Sequence, residues 1–347
     1  MKAAVLYAKD DLRVEDIPLP EINDHEVLVK VKATGICGSD LPRVLGDGAH
    51  YYPIVLGHEF SGIVDKIGKK VTKVQVGDKV AGAPLVPCHE CWDCQKGNYA
   101  QCKNYTFIGS RINGSWAEYV KLPEVNAIKV DESVSFEEAA FFEPSAVALH
   151  ALHHIQFQGG EDVAILGGGN IGLLILQWVK ILGAKTVTVF DIDDEKLELA
   201  KKLGADHVIN TLHEGFKEEC FVITKGKGFG VVLETAGSNI TMNLSFDLAA
   251  NKAKVCFVGT PTRDITFDFK RFEQMNRKEF ILTGSWMSYS APYPGREWEL
   301  TAYFLEKKKL NFKDMIYKVF PLDRIGDAFD LYRAPGFVKG KIILLNE

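Results

Sequence analysis

The sequence predicts an α/β protein made of a mostly-β domain and a doubly wound parallel sheet covered by helices. Three observations lead there. From Met1 to about Val130, short β-branched runs are broken by Gly, Pro and Asp every eight to twelve residues or so. From Asp162 onward, apolar strands alternate with helical patterns, the signature of a parallel sheet with helices on both faces. Where this second texture begins, the fragment GGGNIG follows one apolar strand and opens an apolar helix.

Taken in order, the first region supplies the strands VLVKVKATG, SGIVDKIG and DKVAGAP. The second supplies VAILG, the helix NIGLLILQWVKILG, VTVFD, the helix EKLELAKKLG, HVIN, VVLETAG, the helix NLSFDLAA and KVCFVG. The last sixty or so residues hold two amphipathic helices, REWELTAYFLEKKKL and LDRIGDAFDLY, and a final strand, GKIILL. That is too little for a core of its own, so this tail is expected to pack back onto the first domain. The expected division is residues 1–147 with 286–347 as one domain and 148–285 as the other. A chain of 347 residues fits two cores.

A composition of 46% apolar and 25% charged residues is that of a packed protein and excludes disorder and low complexity. With 41 basic against 46 acidic residues and no Lys/Arg block, nucleic acid is excluded as a partner. The longest apolar stretch, Ile171 to Val179, contains Gln177 and is about half the length that crosses a bilayer, so no membrane role is expected. The first residues, MKAAVLYAKDD, meet charge by Lys9 without a long apolar run, unlike a signal peptide. A cytoplasmic location follows as an expectation.

Seven cysteines, five of them within the first 102 residues, suit a metal better than disulfides. Cys88, Cys91, Cys94 and Cys102 lie in PCHECWDCQKGNYAQC. Four thiolates there can close a tetrahedral shell around zinc and leave no position open, which makes the site structural. An iron–sulfur cluster uses a related run, but its last cysteine comes sooner and precedes a proline, whereas Lys103 follows here. His89, between two of the cysteines, is expected to face solvent.

A second donor set is dispersed. Cys37 lies in TGICGSD, His58 and Glu59 in VLGHEFSG, and Glu143 in FFEPSAVALHAL. Thiolate, imidazole and carboxylate form a set that zinc accepts, and three protein ligands leave a fourth position for water or substrate. Taken with the four-cysteine lobe, these motifs resemble the zinc-dependent medium-chain dehydrogenases, in particular their polyol branch, along essentially the whole chain. The resemblance implies a GroES-like catalytic domain and a Rossmann domain. It implies two zinc ions per chain, the catalytic one bound by the residues at Cys37, His58 and Glu143, with Glu59 beside it and joining the shell in some states.

Gly167, Gly169 and Gly172 occupy the three glycine places of the dinucleotide fingerprint, with Asn170 and Ile171 between the last two. Asp191 ends the next strand about twenty residues on, where a carboxylate takes the adenine-ribose hydroxyls and repels a 2'-phosphate. NAD is therefore expected over NADP. Asp191 also suits a helix cap, although Asp193 or Asp194 is equally placed for that. In the resembling family, ETAG at 234–237 and VGT at 258–260 fall on the nicotinamide side.

The implied reaction moves a hydride from a secondary alcohol, polarised by zinc, to nicotinamide. Ser39 matches the hydroxyl that begins the family's proton relay. Pro42 stands where the alcohol-dehydrogenase branch continues that relay with histidine, which leaves His50 or no side chain at all. His150, His153 and His154 start what looks like a helix and are expected to pack or face solvent. The stretches CGSDLPRVLGDGAHYYPIVLGHE, FIGSRINGSWAEY and GSWMSYSAPYPGREWE are similar to dehydrogenases of sugar-alcohol phosphates. A phosphate calls for a planar cation, and Arg43 and Arg111 are the candidates. Tyr51, Tyr52, Trp286 and Tyr289 suit either the wall of the substrate site or a core. An unphosphorylated polyol or a pentitol phosphate remains the alternative substrate, and a nucleotide-sensing binding protein the non-enzymatic one. Resemblance further implies a homodimer or homotetramer, with EFILTGSW as a candidate edge strand.

Overall fold

A computed structural model describes residues 1–334 and 336–346. It divides into two compact units, Met1–Ala146 with Tyr289–Glu347, and Val147–Ser288. The fold class is the α/β arrangement that the alternating textures predict.

In the first unit the main sheet runs Ala127–Lys129, Lys79–Gly82, Glu59–Ile67, Glu26–Gly35, Lys341–Leu345, Ile316–Pro321, and Tyr119–Pro123 pairs with Glu26–Gly35 as well. The C-terminal strand thus lies inside this sheet. Its Ile343 pairs antiparallel with Gly35, while Gly35 pairs on its other side with Glu59. Alternation of buried and half-buried positions along Glu26–Gly35 places Val27, Val29 and Val31 in one core with Phe60, Val64 and Val120. A second core joins the N-terminal strand Lys2–Ala8 to Phe329, Ile342 and Leu344 from the chain's end. There the Trp116 and Phe329 rings meet edge to face at 5.5 Å.

The second unit is a six-stranded sheet in the order His207–Asn210, Thr186–Asp191, Asp162–Leu166, Phe229–Glu234, Ala249–Phe257, Ile281–Gly284, all parallel. The central strands are buried on both faces, which is why they read as continuous apolar runs. The helix Asn170–Ile181 is buried from Gly172 through Val179, so it too is apolar all round. Asp193 accepts from Glu195 and Lys196 N–H and caps the helix Asp194–Lys202, so Asp191 is not its cap. Among the described residues, no helix is long and apolar enough to cross a membrane.

One expectation is corrected by this architecture. His150, His153 and His154 end a helix, Phe142–His154, instead of starting one. The apolar run FFEPSAVALHAL belongs to that helix from its first turn, with Ala146, Ala148, Leu149, Ala151 and Leu152 buried. Near the helix end, the His150 and His154 rings stack at 6.2 Å, and His154 Nε2 lies 3.0 Å from Thr283 Oγ1.

Candidate active site and metal centres

Cys37 precedes the short 3-10 turn Gly38–Asp40, His58 precedes the strand Glu59–Ile67, and Glu59 opens that strand. Pairing of Gly35 with Glu59 brings the two segments together. As a result Cys37, His58 and Glu59 each offer a donor atom, all within 4.8 Å of one another. Zinc with ligands at about 2.0–2.3 Å puts neighbouring donors roughly 3.3–3.8 Å apart, so this set fits the ion with small side-chain adjustments. Glu143 does not join it at that spacing. It lies buried in the first turn of Phe142–His154, where burial pushes its carboxyl up to about 7, His58 pulls it back and Glu59 pushes it further. Of the carboxylates expected near Cys37 and His58, Glu59 is the one that the structure brings within that spacing.

Asp40 supports two of these donors, Cys37 and His58, from behind. Its Oδ2 accepts from Cys37 N–H at 3.1 Å, and its Oδ1 stands 3.5 Å from His58 Nδ1. The buried Nδ1 has no hydrogen-bond partner, and burial raises the Asp40 carboxyl above its usual range. A ligand on the imidazole would fix the tautomer that donates Nδ1–H to Asp40, as outer carboxylates do for metal-bound histidines. Ser39 Oγ donates to Cys37 Sγ at 3.3 Å.

In the cysteine lobe, Cys88, Cys91, Cys94 and Cys102 place their sulfurs within 4.8 Å of one another, with Cys88 to Cys94 at 4.0 Å and Cys102 to Cys88 at 3.4 Å. A tetrahedral Zn–S distance of about 2.3 Å gives sulfur–sulfur edges of roughly 3.8 Å, so four thiolates fit zinc here also. All seven cysteines are free. The backbone N–H of Cys94 helps pull the Cys91 thiol down to about 6, while burial pushes Cys94 up to about 12. His89 is exposed as expected, yet its ring is not idle, since it meets Tyr99 at 5.8 Å and Tyr293 at 5.4 Å.

In the second unit the glycine turn lies at the carboxyl ends of the strands. Gly167 has φ +111°, and a Cβ on Gly172 would fall 1.9 Å from the Gly167 carbonyl oxygen, so both places demand glycine. A Cβ on Gly169 would meet nothing within 4 Å. This open approach to the first turn of Asn170–Ile181 suits a pyrophosphate, and Asn170 Oδ1 is buried there with no partner. Asp191 Oδ2 accepts from Gly168 N–H at 2.7 Å, and its Oδ1 accepts from Ile192 at 2.8 Å and Asp193 at 3.1 Å. These donors hold the carboxylate beside the turn, where the dinucleotide fingerprint requires it.

Comparison with known proteins agrees with the geometry. Residues 23–132 match the alcohol dehydrogenase GroES-like domain, and residues 170–302 match the zinc-binding dehydrogenase family. Galactitol 1-phosphate 5-dehydrogenase of Escherichia coli K12 is 42% identical over 347 residues, covering 99% of this chain and 100% of that one. The chain belongs to the zinc-binding dehydrogenases. It is an oxidoreductase. D-arabitol-phosphate dehydrogenase of Enterococcus avium is 35% identical over 92% of this chain and 90% of its own length. The crystal structure of galactitol-1-phosphate dehydrogenase from Escherichia coli superposes with a TM-score of 0.95 at 40% identity, covering all of both chains.

In this dehydrogenase the two candidate arginines differ. Arg43 is mostly buried, and its Nη1 donates to Ser39 O at 2.9 Å, Ser39 Oγ at 3.0 Å and Asp40 Oδ1 at 3.1 Å. Arg111 is exposed, lies 4.6 Å above the Tyr105 ring and donates to Tyr105 OH at 3.2 Å. Burial, then Arg111 and Arg43, hold His50 below its usual range, so the three groups share one field. Tyr51 and Tyr52 are exposed, whereas Tyr289 is packing: it stacks on Tyr293 and Trp298, and its hydroxyl accepts from Leu85 N–H at 2.9 Å.

Asp40 and Lys341, which pack against the dehydrogenase's metal cluster, have no role in the sequence reading, and ETAG at 234–237 is placed on the nicotinamide side there without side-chain roles. Asp40 had a signal, three places after Cys37. Lys341 had none, since it donates to Glu59 from 282 residues away. Thr235 donates to the carbonyls of Leu166 and Gly167, and Glu234 accepts from Ala236 N–H, Gly237 N–H and Thr241 Oγ1, which fixes the turn that packs on Gly167. Val258, Gly259 and Thr260 line a cavity of about 430 Å³ with Ser285 and Trp286.

Proposed function

We propose that the chain oxidises the secondary alcohol of a sugar-alcohol phosphate with NAD, specifically galactitol 1-phosphate at carbon 5 to tagatose 6-phosphate. The observation that carries this reading is the Cys37, His58 and Glu59 cluster in a chain that matches a galactitol 1-phosphate 5-dehydrogenase from end to end. Zinc bound there supplies Lewis acidity that eases loss of the hydroxyl proton, and NAD supplies the hydride acceptor.

The protein's own groups have separate tasks. Cys37 and His58 are the fixed metal donors, and Glu59 and Glu143 are the two carboxylates from which the shell is completed. Ser39, donating to Cys37 Sγ and accepting from Arg43, is the hydroxyl placed to take up the substrate's proton. Cys88, Cys91, Cys94 and Cys102 close the structural zinc. Gly167, Gly169, Asn170, Ile171 and Gly172 receive the pyrophosphate, and Asp191 takes the ribose hydroxyls. Arg111, with a free face toward solvent, is the group offered to the substrate's phosphate, with His50 near it. Onward proton transfer passes to solvent without the histidine that Pro42 replaces.

The clustered free thiols suit a reducing compartment, which supports the cytoplasm. Ile281–Gly284 ends the second sheet with Ile281 64% exposed, which supports a homodimer or homotetramer paired through that edge.

Incubation of the zinc-loaded protein with galactitol 1-phosphate and NAD, with the ketose phosphate identified by mass spectrometry and NMR, tests the reading. Stoichiometric formation of NADH and tagatose 6-phosphate is expected. Oxidation of free polyols alone, or use of NADP in preference to NAD, overturns it.

A further inference from the structure

Arg43 connects to two donors of the metal cluster, Cys37 and His58, through a single nitrogen. Along one path Nη1 donates to Ser39 Oγ at 3.0 Å, and Ser39 Oγ donates to Cys37 Sγ at 3.3 Å. Along the other it donates to Asp40 Oδ1 at 3.1 Å, and the same carboxylate accepts from Cys37 N–H and faces His58 Nδ1 at 3.5 Å. A third bond, to Ser39 O at 2.9 Å, ties the guanidinium to the backbone between them.

The local fold explains how one side chain reaches all three acceptors. Ser39 and Asp40 lie four and three residues before Arg43, spacings that face each other across a helical turn. Pro42 lies in the first turn of the short helix Leu41–Val44, where its missing N–H costs nothing. The Asp40 side chain is fully buried and that of Arg43 is only 18% exposed, so the pair is shielded from solvent. A buried carboxylate without its counter-charge is costly, and the planar guanidinium fixes the direction of its Nη1 hydrogens where a lysine's rotating ammonium does not. With Arg43 donating to Ser39 Oγ, the hydroxyl's own proton is directed away from the guanidinium, toward Cys37 and the space beside it.

The geometry points to Arg43 as a positioning residue of the metal site, one that aims the Ser39 hydroxyl and the Asp40 carboxylate, and not as a ligand for the substrate's phosphate. This rests on the proposed dehydrogenase reading of the site, and assigns its phosphate contact to Arg111 alone of the two arginines.

Arg43→Lys and Arg43→Gln, prepared as zinc-loaded protein and with Co(II) exchanged into the catalytic site, test the assignment. Expected are a fall in kcat of about tenfold or more, a KM for galactitol 1-phosphate within about twofold of the parent, and a shifted thiolate-to-cobalt absorption band. Arg43→Lys is expected to keep its fold, because it retains the charge against Asp40. A KM raised about tenfold or more with unchanged kcat would make Arg43 a phosphate ligand and overturn the assignment, as would an unchanged cobalt spectrum with unchanged kcat. Should the parent protein turn over no sugar-alcohol phosphate, the substrate reading fails, while the cobalt spectra still decide the role of Arg43.

Discussion

Lys341 donates to both carboxylate oxygens of Glu59, at 2.7 Å and 2.5 Å, and neither side chain is more than 2% exposed. The pair forms across Gly35, whose strand lies between theirs. A Cβ on Gly35 would fall 2.4 Å from Glu59 Oε2 and 3.3 Å from Lys341 Cδ, so the missing side chain is what lets the charges meet. Burial pushes the Lys341 ammonium toward neutrality, but Glu59, Cys37 and Glu143 together hold Lys341 above its usual range. One carboxylate of the metal cluster is thereby paired with a lysine from the C-terminal strand.

Removing that partner leaves a buried, unpaired carboxylate. Lys341→Met is expected to destabilise the protein by about 3–5 kcal/mol, read as a lower denaturation midpoint with little change in slope. Double replacement, Lys341→Met with Glu59→Gln, should recover a good part of the loss. Equal destabilisation in the single and double variants would mean that the ion pair is not the cause.

Zinc content separates the two metal centres. By atomic emission, the parent should hold about two zinc ions per chain and Cys37→Ser about one. Cys94→Ser should also lose about one, and with it thermal stability, because a closed thiolate shell contributes directly to folding. If Cys37→Ser retained both ions and full activity, the cluster would not be the catalytic centre.

The proposed preference for NAD rests on Asp191. Asp191→Asn removes the charge and keeps one acceptor oxygen, so either the Gly168 N–H or the Ile192 and Asp193 N–H pair then faces an amide NH2 that cannot accept. KM for NAD is expected to rise about tenfold or more, as for loss of charge-assisted hydrogen bonds, with a narrower gap between NAD and NADP. Steady-state kinetics with both coenzymes checks this, and an unaltered preference would contradict it.

Glu143 gives the metal-free protein a pH dependence of known sign. Its folded carboxyl is pushed up to about 7 by burial, while the usual value is 4.5. Between those values the folded state keeps a proton that the unfolded chain has released, so stability is highest at the acid end of the window and falls as pH rises through it. Urea denaturation of metal-free parent and Glu143→Gln should therefore show the variant gaining on the parent from pH 5 to pH 7. A constant difference between them would contradict the assignment.

What could be read from the sequence followed the distance over which each feature is built. The structural lobe was legible because its four sulfurs come from fifteen consecutive residues, Cys88 to Cys102, and spacing alone limits their geometry. The glycine turn was legible because strand, turn and helix are contiguous, and Gly172 against the Gly167 carbonyl is a local contact. The catalytic cluster was legible as residue types only. Which carboxylate approaches Cys37 and His58 depends on Gly35 pairing with Glu59 and on a lysine from the far end of the chain, neither of which leaves a local pattern.

Two helices went unread for a related reason. Phe269–Lys278 has no buried residue, and Phe216–Thr224 buries only Cys220 and Thr224, so neither puts a broad apolar face into the core. Arg43 shows a second limit: as a lone arginine near a metal motif it reads as a phosphate contact, and the bonds of its Nη1 to Ser39 O, Ser39 Oγ and Asp40 Oδ1 leave no local pattern that separates the two roles.

The most direct measurement is the ratio of kcat/KM for galactitol 1-phosphate to that for galactitol, with NAD and zinc-loaded protein under one set of conditions, alongside arabinitol phosphate and sorbitol. A site built for a phosphorylated polyol predicts a ratio of about a hundredfold or more, as expected when a charge-assisted contact to the substrate is made or lost. A ratio near one, or a preference for the free polyol, would contradict the central claim.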